Sequence, residues 1–334
     1  MKAEGKNLII LVLFFGLNAF LYAGSKPVLN IYTYDAFAAS WGPAPKIKKI
    51  FDKLYNCNLT FTPVDSSIGA LRKIQLEGKN TKADILLGLD TSSMDMAKKT
   101  GLFMPLKIDI SNLTLPIKWQ DDTFYPFDWG YFAFVYDSKK LKNPPHSFKE
   151  LANMDKNTQI VIEDPRSSTP GLGLLLWIKS IYQNRAKEYW HKLSPHILTI
   201  TKGWSEAYDL FLKGEADMVL SYTTSPAYHI IAEKKTNYKY VHFKEGHYMQ
   251  IEVAAVLKSS SHKKLAKKFI SFMLSSKFAD IIPLTNWMYP VTKTSKPLPK
   301  PFLDKPEKLL LIDSKTVFKH KKEYIQEWLN AIKK

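Results

Sequence analysis

Two segments join hydroxyl side chains to the start of an apolar helical pattern. Ser167-Ser168-Thr169-Pro170-Gly171 leads into a helix near Leu174–Ile181, and Ser66-Ser67-Ile68-Gly69 leads into Leu71 and Ile74. The first N–H groups of a helix have no partner within it and carry the positive end of its dipole. Such a start, flanked by Ser and Thr hydroxyls, can hold an anion. Pro170 suits the first helical turn. Plain N-capping accounts for either start taken alone. A second group is aromatic: Tyr34, Trp204, Tyr222, Tyr228, Trp287 and Tyr289 fall in polar turns. Tyr and Trp faces stack on flat rings and attract cations, and Asp35 and Asp90 could add a countercharge. Core packing explains any one of these aromatics, but six in polar turns is harder to explain that way.

Signatures of catalysis are scarce. The chain has no G-x-x-x-x-G-K-[ST], no G-x-G-x-x-G and no G-x-S-x-G. Thr169-Pro170-Gly171-Leu172-Gly173 lacks the lysine of a phosphate-binding loop. Ser260-Ser261-His262-Lys263 and Lys99-Thr100-Gly101 stand in the wrong order for a serine acyltransferase, without the S-D-N between them. His242 and His247 are five apart, which is not a helix-face spacing, so no metal site is expected. Cys57 is the only cysteine, which excludes disulfide scaffolds and zinc–thiolate clusters.

These turns need elements to hold them. Apolar runs at Val28–Tyr34, Asn58–Val64, Ala83–Leu87, Phe132–Tyr136, Gln159–Ile162, Ile197–Ile200, Met218–Ser221 and Ile251–Leu257 read as strands. Helical spacing lies between them, as at Ile47, Ile50, Phe51 and Leu54, and again at Leu265, Phe269 and Met273. Ile325, Trp328, Leu329 and Ile332 mark a last helix. Strand–helix alternation predicts an α/β fold. In open sheets of that class, ligands bind outside the carboxyl ends of the strands. Those ends read Tyr34-Asp35, Asp65-Ser66-Ser67, Asp90, Asp164–Thr169 and Tyr222-Thr223-Thr224-Ser225. Residues 290–307 carry five prolines and read as a surface loop.

With 334 residues, 45% hydrophobic and 13% aromatic, the chain can bury more than one small core, and two lobes are expected. The net charge is +17, which suggests an anionic partner. Only three of the basic residues are Arg, however (Arg72, Arg166, Arg185), and residues 258–334 alone hold 17 Lys against 6 acids. A solvated lysine surface is therefore expected, with no nucleic-acid partner. Lys2 and Lys6 precede the apolar run Leu8–Phe15, and Ala23-Gly24-Ser25 follows. That order predicts a signal peptide over residues 1–25 and an exported, soluble mature chain.

The chain also resembles the periplasmic thiamine-binding proteins of bacterial ABC importers. The resemblance is carried by Tyr32-Thr33-Tyr34-Asp35, Trp41-Gly42-Pro43, Asp128-Trp129-Gly130-Tyr131-Phe132, Ser168-Thr169-Pro170-Gly171-Leu172-Gly173, Thr201-Lys202-Gly203-Trp204-Ser205-Glu206, Ser221-Tyr222-Thr223-Thr224-Ser225-Pro226-Ala227-Tyr228-His229 and Asn286-Trp287-Met288-Tyr289-Pro290. It covers about Lys26 to Pro290. It implies a type II periplasmic binding protein: two α/β lobes closing on a ligand at a hinge, with crossovers near Asp128–Tyr131 and Glu252–Val256. The implied lobes are 26–129 with 257–334, and 130–256. It further implies thiamine, thiamine monophosphate and thiamine diphosphate as transported ligands, no cofactor, and partnership with a membrane permease and its ATPase. By the family pattern, the phosphate end lies near Ser66, Ser67, Ser168 and Thr169. The rings lie among Tyr34, Trp204, Tyr222, Tyr228 and Trp287, with residues 222–225 part of the same wall. The family usually carries an acidic residue and a glycine where this chain has Ser66 and Ser67.

Rival readings remain at this point. A ferric-ion binder would want adjacent tyrosines, and the chain has no Tyr-Tyr. A polyamine or other small-cation binder would also use Trp and Asp. A thiamine-degrading enzyme of similar fold would need a nucleophile in the cleft, and Cys57 is the only thiol available.

Overall fold

The computed structural model describes residues 25–332, so the expected signal segment lies outside the described residues except for Ser25. Eleven strands form one continuous hydrogen-bonded system among these residues. They are β1 (Val28–Tyr34), β2 (Asn58–Val64), β3 (Ile85–Asp90), β4 (Tyr125–Asp137), β5 (Ile160–Glu163), β6 (Ile197–Thr201), β7 (Met218–Tyr222), β8 (Tyr238–Tyr240), β9 (His247–Val256), β10 (Tyr289–Pro290) and β11 (Leu309–Leu310). The main path runs β2-β1-β3-β9-β4-β7-β5-β6. At one end β2, β1 and β3 are parallel, and at the other so are β7, β5 and β6. Each parallel set is closed by an antiparallel strand, β9 for the first and β4 for the second.

β4 makes the passage between the lobes. Its first half, Tyr125–Tyr131, pairs with β9, and its second half, Phe132–Tyr136, pairs with β7. β9 likewise pairs with β4 through Met249–Ala254 and with β3 through Glu252–Val256. Two long strands thus carry the crossing: on β9, Tyr248 packs in a second-lobe cluster and Met249 in a first-lobe one, ahead of the stretch Glu252–Val256. Pro126 lies at a register shift in the β4–β9 pair, where its missing N–H breaks no regular rung.

Alternation along the strands builds four apolar clusters, one on each face of each lobe. Leu29 and Ile31 face one way and Tyr32 the other; Ile85 and Leu87 oppose Leu86 and Leu89. In the second lobe Phe132 and Phe134 enter one cluster, Ala133 and Val135 the other. Parallel sheets covered on both faces read as continuous apolar runs, which is why these strands were visible in sequence. Among the described residues no helix is long and apolar enough to cross a membrane.

The last helix departs from the expected lobe boundaries. β11 pairs with His247 and Tyr248 of β9 and delivers the chain to the helix Ser314–Ile332. That helix buries Val317, Trp328 and Ala331 in the second-lobe cluster of Phe132, Trp177 and Trp190. It also reaches back to the first lobe, where the Ser314 Oγ accepts from the Asp95 N–H at 3.1 Å. The tail therefore bridges the lobes: Leu309 and Leu311 pack against the first-lobe cluster, and the helix that follows buries its apolar side chains in the second, because strand pairing at β9 fixes where it lands.

Candidate functional site

The carboxyl ends of the strands open on a cavity of about 790 Å³ between the lobes. On the first lobe Tyr34 ends β1, Asp35 opens the short helix Asp35–Ala38, and Ser66 caps the helix Ser67–Glu77. On the second lobe Ser168 caps the helix Thr169–Tyr182, Trp204 opens the helix Trp204–Lys213, and Tyr222 ends β7. All of these residues line the cavity, as do Ser67, Thr169, Ser225, Tyr228 and Trp287. The lobes also touch across the mouth. Arg72 donates from Nη2 to the Arg166 carbonyl at 3.2 Å, and Lys202 pairs with Asp65.

The aromatic residues are held by specific partners. Trp204 donates from Nε1 to Ser221 Oγ at 2.8 Å and stacks on Tyr208 with centroids 4.9 Å apart. Tyr222 donates to Gln250 Oε1 at 3.2 Å and leans on Phe132. Tyr228 and Trp287 meet edge-to-face at 5.2 Å. Trp287 has φ of +56°, a left-handed backbone that costs a bulky residue energy and persists where its surroundings over-determine it. Tyr34 is crowded by Gly88, which has φ of +110°; a Cβ there would lie 2.5 Å from the tyrosine ring and 2.9 Å from Ser67 Oγ.

The two hydroxyl-rich helix starts come from opposite lobes and meet the same cavity, a convergence that capping alone does not require. Ser66 Oγ accepts from Gly69 N–H at 3.0 Å, and Ser168 Oγ from Gly171 N–H at 3.3 Å. Thr169 Oγ1 is buried without a partner, and a buried hydroxyl left unpaired calls for an account. Gly171 lets this start sit against the end of β5, since a Cβ there would stand 2.4 Å from the Glu163 carbonyl oxygen. Among the described residues no Lys or Arg lines the cavity, whereas Asp35, Asp65, Asp209 and Glu252 do.

The floor is acidic. Register places Asp90, Glu252 and Asp128 side by side on β3, β9 and β4. Tyr34 donates to Glu252 Oε2 at 2.9 Å, and Asn286 Nδ2 donates to Asp128 Oδ2 at 2.5 Å and to the Tyr34 oxygen at 2.9 Å. Burial pushes the Asp128 carboxyl up to about 7. Burial, and then the adjacent Asp128 charge, raise Glu252 well above the carboxylate range.

Three of the expected site residues lie elsewhere. Asp90 is buried at the end of β3, where it accepts both contacts of the Ser92 hydroxyl, at 2.7 and 2.8 Å, and feels the Lys321 charge. Thr223 and Thr224 are buried in the turn after β7, with Thr223 N–H bound to the Tyr131 carbonyl at 2.9 Å. Neither threonine nor Asp90 lines the cavity. Tyr289 belongs to β10 and packs on Trp129 with centroids 4.6 Å apart. The sequence reading missed Glu252, Gln250, Asn286, Tyr208 and Trp41, all of which line the cavity. Glu252 had a signal, as the one charge in the apolar run Ile251–Leu257.

Residues 32–280 match the family model described as bacterial extracellular solute-binding protein. The chain is 51% identical over 308 residues to the thiamine-binding periplasmic protein of Escherichia coli (strain K12), covering 92% of this chain and 94% of that one. It is 51% identical over 311 residues to the protein of the same name from Brucella melitensis biotype 1 (strain ATCC 23456 / CCUG 17765 / NCTC 10094 / 16M), covering 92% and 93%. A solved structure titled periplasmic thiamin binding protein superposes with a TM-score of 0.89 at 50% identity, covering 92% of this chain and 97% of that one.

Proposed function

The chain belongs to the bacterial extracellular solute-binding protein family, and from that membership and the lining of its cavity we infer that it is the thiamine-binding subunit of an ABC importer. Its two-lobed α/β fold is that of the type II periplasmic binding proteins. On this reading thiamine, its monophosphate and its diphosphate are captured in the periplasm and delivered to a membrane permease with its ATPase. The observation that carries the reading is one cavity lined by aromatic rings and capped helix starts from both lobes, with acidic side chains as its only charges among the described residues. Thiamine has matching parts: a flat aminopyrimidine, a cationic thiazolium, and an arm that ends in a hydroxyl or in phosphate.

Capture follows from where the contacts sit. Tyr34, Ser66 and Ser67 belong to one lobe and Ser168, Trp204 and Tyr222 to the other. A ligand that touches both sets is bound more tightly by the closed form, so it shifts the opening equilibrium toward closure. The rings meet aromatic faces at about 0.5–2 kcal/mol for each cation–π contact. The phosphate meets helix-start N–H groups and hydroxyls, among them the unpartnered Thr169 Oγ1. Capture without chemistry is supported by the place of the one thiol: Cys57 is buried in the first-lobe core beside Asp52 and does not line the cavity.

A second reading, a polyamine or other small-cation binder, draws on the acidic lining. It leaves the paired helix starts without a task. Calorimetry separates the two: thiamine is expected to bind with measurable heat and spermidine not at all. Saturable spermidine binding with silent thiamine would overturn the thiamine reading. The phosphate end has its own test. Ser168→Ala is expected to weaken thiamine diphosphate about tenfold, the ~1.4 kcal/mol of one hydrogen bond to a charged group, while thiamine changes about twofold or less. Equal losses for both ligands would place the phosphate elsewhere.

A further inference from the structure

We propose that Glu252, seated by Tyr34 and Asp128, makes the cavity select a cationic ring over an uncharged ring of the same shape. The proposal rests on the thiamine reading and names the group within that site which reads the ligand's charge. Glu252 is 5% exposed and lines the cavity, whereas Asp128 beside it is fully buried and does not. Of the adjacent carboxylates on the floor, Glu252 is the one a ligand meets.

The surroundings of Glu252 lack positive charge. On β1 it faces the Tyr34 hydroxyl, on β4 Asp128, and on β3 Asp90. Asn286 approaches with its amide nitrogen 3.5 Å from Oε2. Tyr222, on β7, and Gln250, on β9 itself, complete the neutral groups, joined by a hydrogen bond at 3.2 Å. Burial pushes both Tyr34 and Tyr222 well above the usual phenol range, so they stay uncharged. Asp90 has its own relief from the Ser92 hydroxyl and from Lys321 on the last helix. Farther out, Glu163 acts on Tyr222, and burial pushes its own carboxyl well above the usual carboxylate range, while Asp35, Asp65 and Asp209 are the other acidic side chains of the lining. Neither Glu252 nor Asp128 joins an ion pair with a cation among the described residues.

Two adjacent buried carboxyls with no cation cannot both ionise cheaply. Asp128 Oδ1 is buried without a hydrogen-bond partner, and a single proton held between the pair would satisfy it. A ligand that brings a fixed positive charge to Glu252 takes over the work of that proton, which is released to solvent. An uncharged ring of equal shape fills the same space and leaves the proton in place.

The test is calorimetry on the full mature chain with thiamine and with deazathiamine, its uncharged thiophene isostere. The parent protein is expected to prefer thiamine by at least about tenfold, and the Glu252→Gln variant by about threefold or less. Retained deazathiamine binding in that variant shows that the cavity still forms. A parent that binds both ligands equally, or a variant that keeps the full preference, overturns the proposal and leaves the thiamine reading standing. A parent that binds neither overturns the thiamine reading, and the proposal falls with it. The parent alone gives a second test if the variant does not fold. The thiamine-to-deazathiamine affinity ratio is expected to rise between about pH 5.5 and 8, as the shared proton leaves and the anionic pair favours the cation. The pyrimidine of deazathiamine, which has no cationic ring beside it, is the more basic of the two, so each affinity is first corrected for the titration of the free ligand measured in the same buffers. A ratio flat over that range overturns the proposal.

Discussion

Thiamine is expected to bind the Trp204→Ala variant about tenfold to a hundredfold more weakly than the parent, with little change in unfolding temperature. Removing an aromatic platform from beneath a flat ring costs about 1–3 kcal/mol, and ~1.4 kcal/mol is a factor of ten. The cationic thiazolium strengthens the case if it is the ring that lies against the indole. Trp204 is half-buried at the first turn of its helix, and its ring is set by Ser221 and Tyr208 at the edge of a second-lobe cluster. Losing it leaves no stranded buried partner, because Ser221 Oγ keeps its contact with Ser225 Oγ at 2.8 Å. Trp204→Phe, which retains a face without the indole N–H, is expected to recover most of the affinity. Binding within threefold of the parent in the alanine variant would reduce Trp204 to a packing residue. Calorimetry and a thermal melt on the same preparations decide between these outcomes.

The second large effect is on stability. Trp328→Ala is expected to cost about 3–5 kcal/mol, the range for deleting a fully buried large side chain and leaving a cavity. Trp328 is 1% exposed and lies edge-on to Trp190 at 6.4 Å, inside the second-lobe core. Its helix also spans the back of the molecule, with Ser314 bound to Asp95 at one end and Lys179 paired with Glu327 at 2.8 Å near the other. Unfolding in denaturant measures the loss. Ligand affinity under native conditions should stay close to that of the parent, because the helix contributes no lining residue to the cavity. A loss below about 1 kcal/mol would mean that the tail is an appendage and the second-lobe core closes without it.

Local chemistry decided what could be read in advance. The start Ser168-Thr169-Pro170-Gly171 was legible because capping, proline at the first turn and an apolar helix are short-range signals, and the structure puts all three at the cavity. The aromatic turns at Tyr34, Trp204, Tyr222, Tyr228 and Trp287 were legible for a similar reason: large rings in polar turns have no local use. Asp90 looked the same as those strand ends in sequence. Its carboxylate is instead answered by Ser92 and by Lys321, and nothing local announces a partner on the last helix. Thr223 and Thr224 were read with their neighbour Ser225, yet only Ser225 reaches the cavity, since the turn buries the other two. β4 was legible only over Phe132–Tyr136, because Pro126, Asp128 and Gly130 interrupt the apolar pattern of its first half. Those interruptions belong to the hinge and the site: Pro126 marks the register shift, Asp128 joins the carboxyl pair, and Gly130 admits Met288, whose Cε would stand 2.8 Å from a Cβ there. The row formed by Asp90, Glu252 and Asp128 needed strand order and register, which exist only after three distant strands have paired.

The account stands on the identity of the molecule that fills the cavity. The most direct measurement is mass spectrometry of small molecules released by denaturing the purified, native-expressed protein, with the protein concentration as the stoichiometric reference. Thiamine or one of its phosphates, released at a substantial fraction of one per chain and missing from a control sample first dialysed against excess thiamine analogue, is the expected result. A polyamine or another compound recovered at that stoichiometry, with no thiamine species above background, would contradict it.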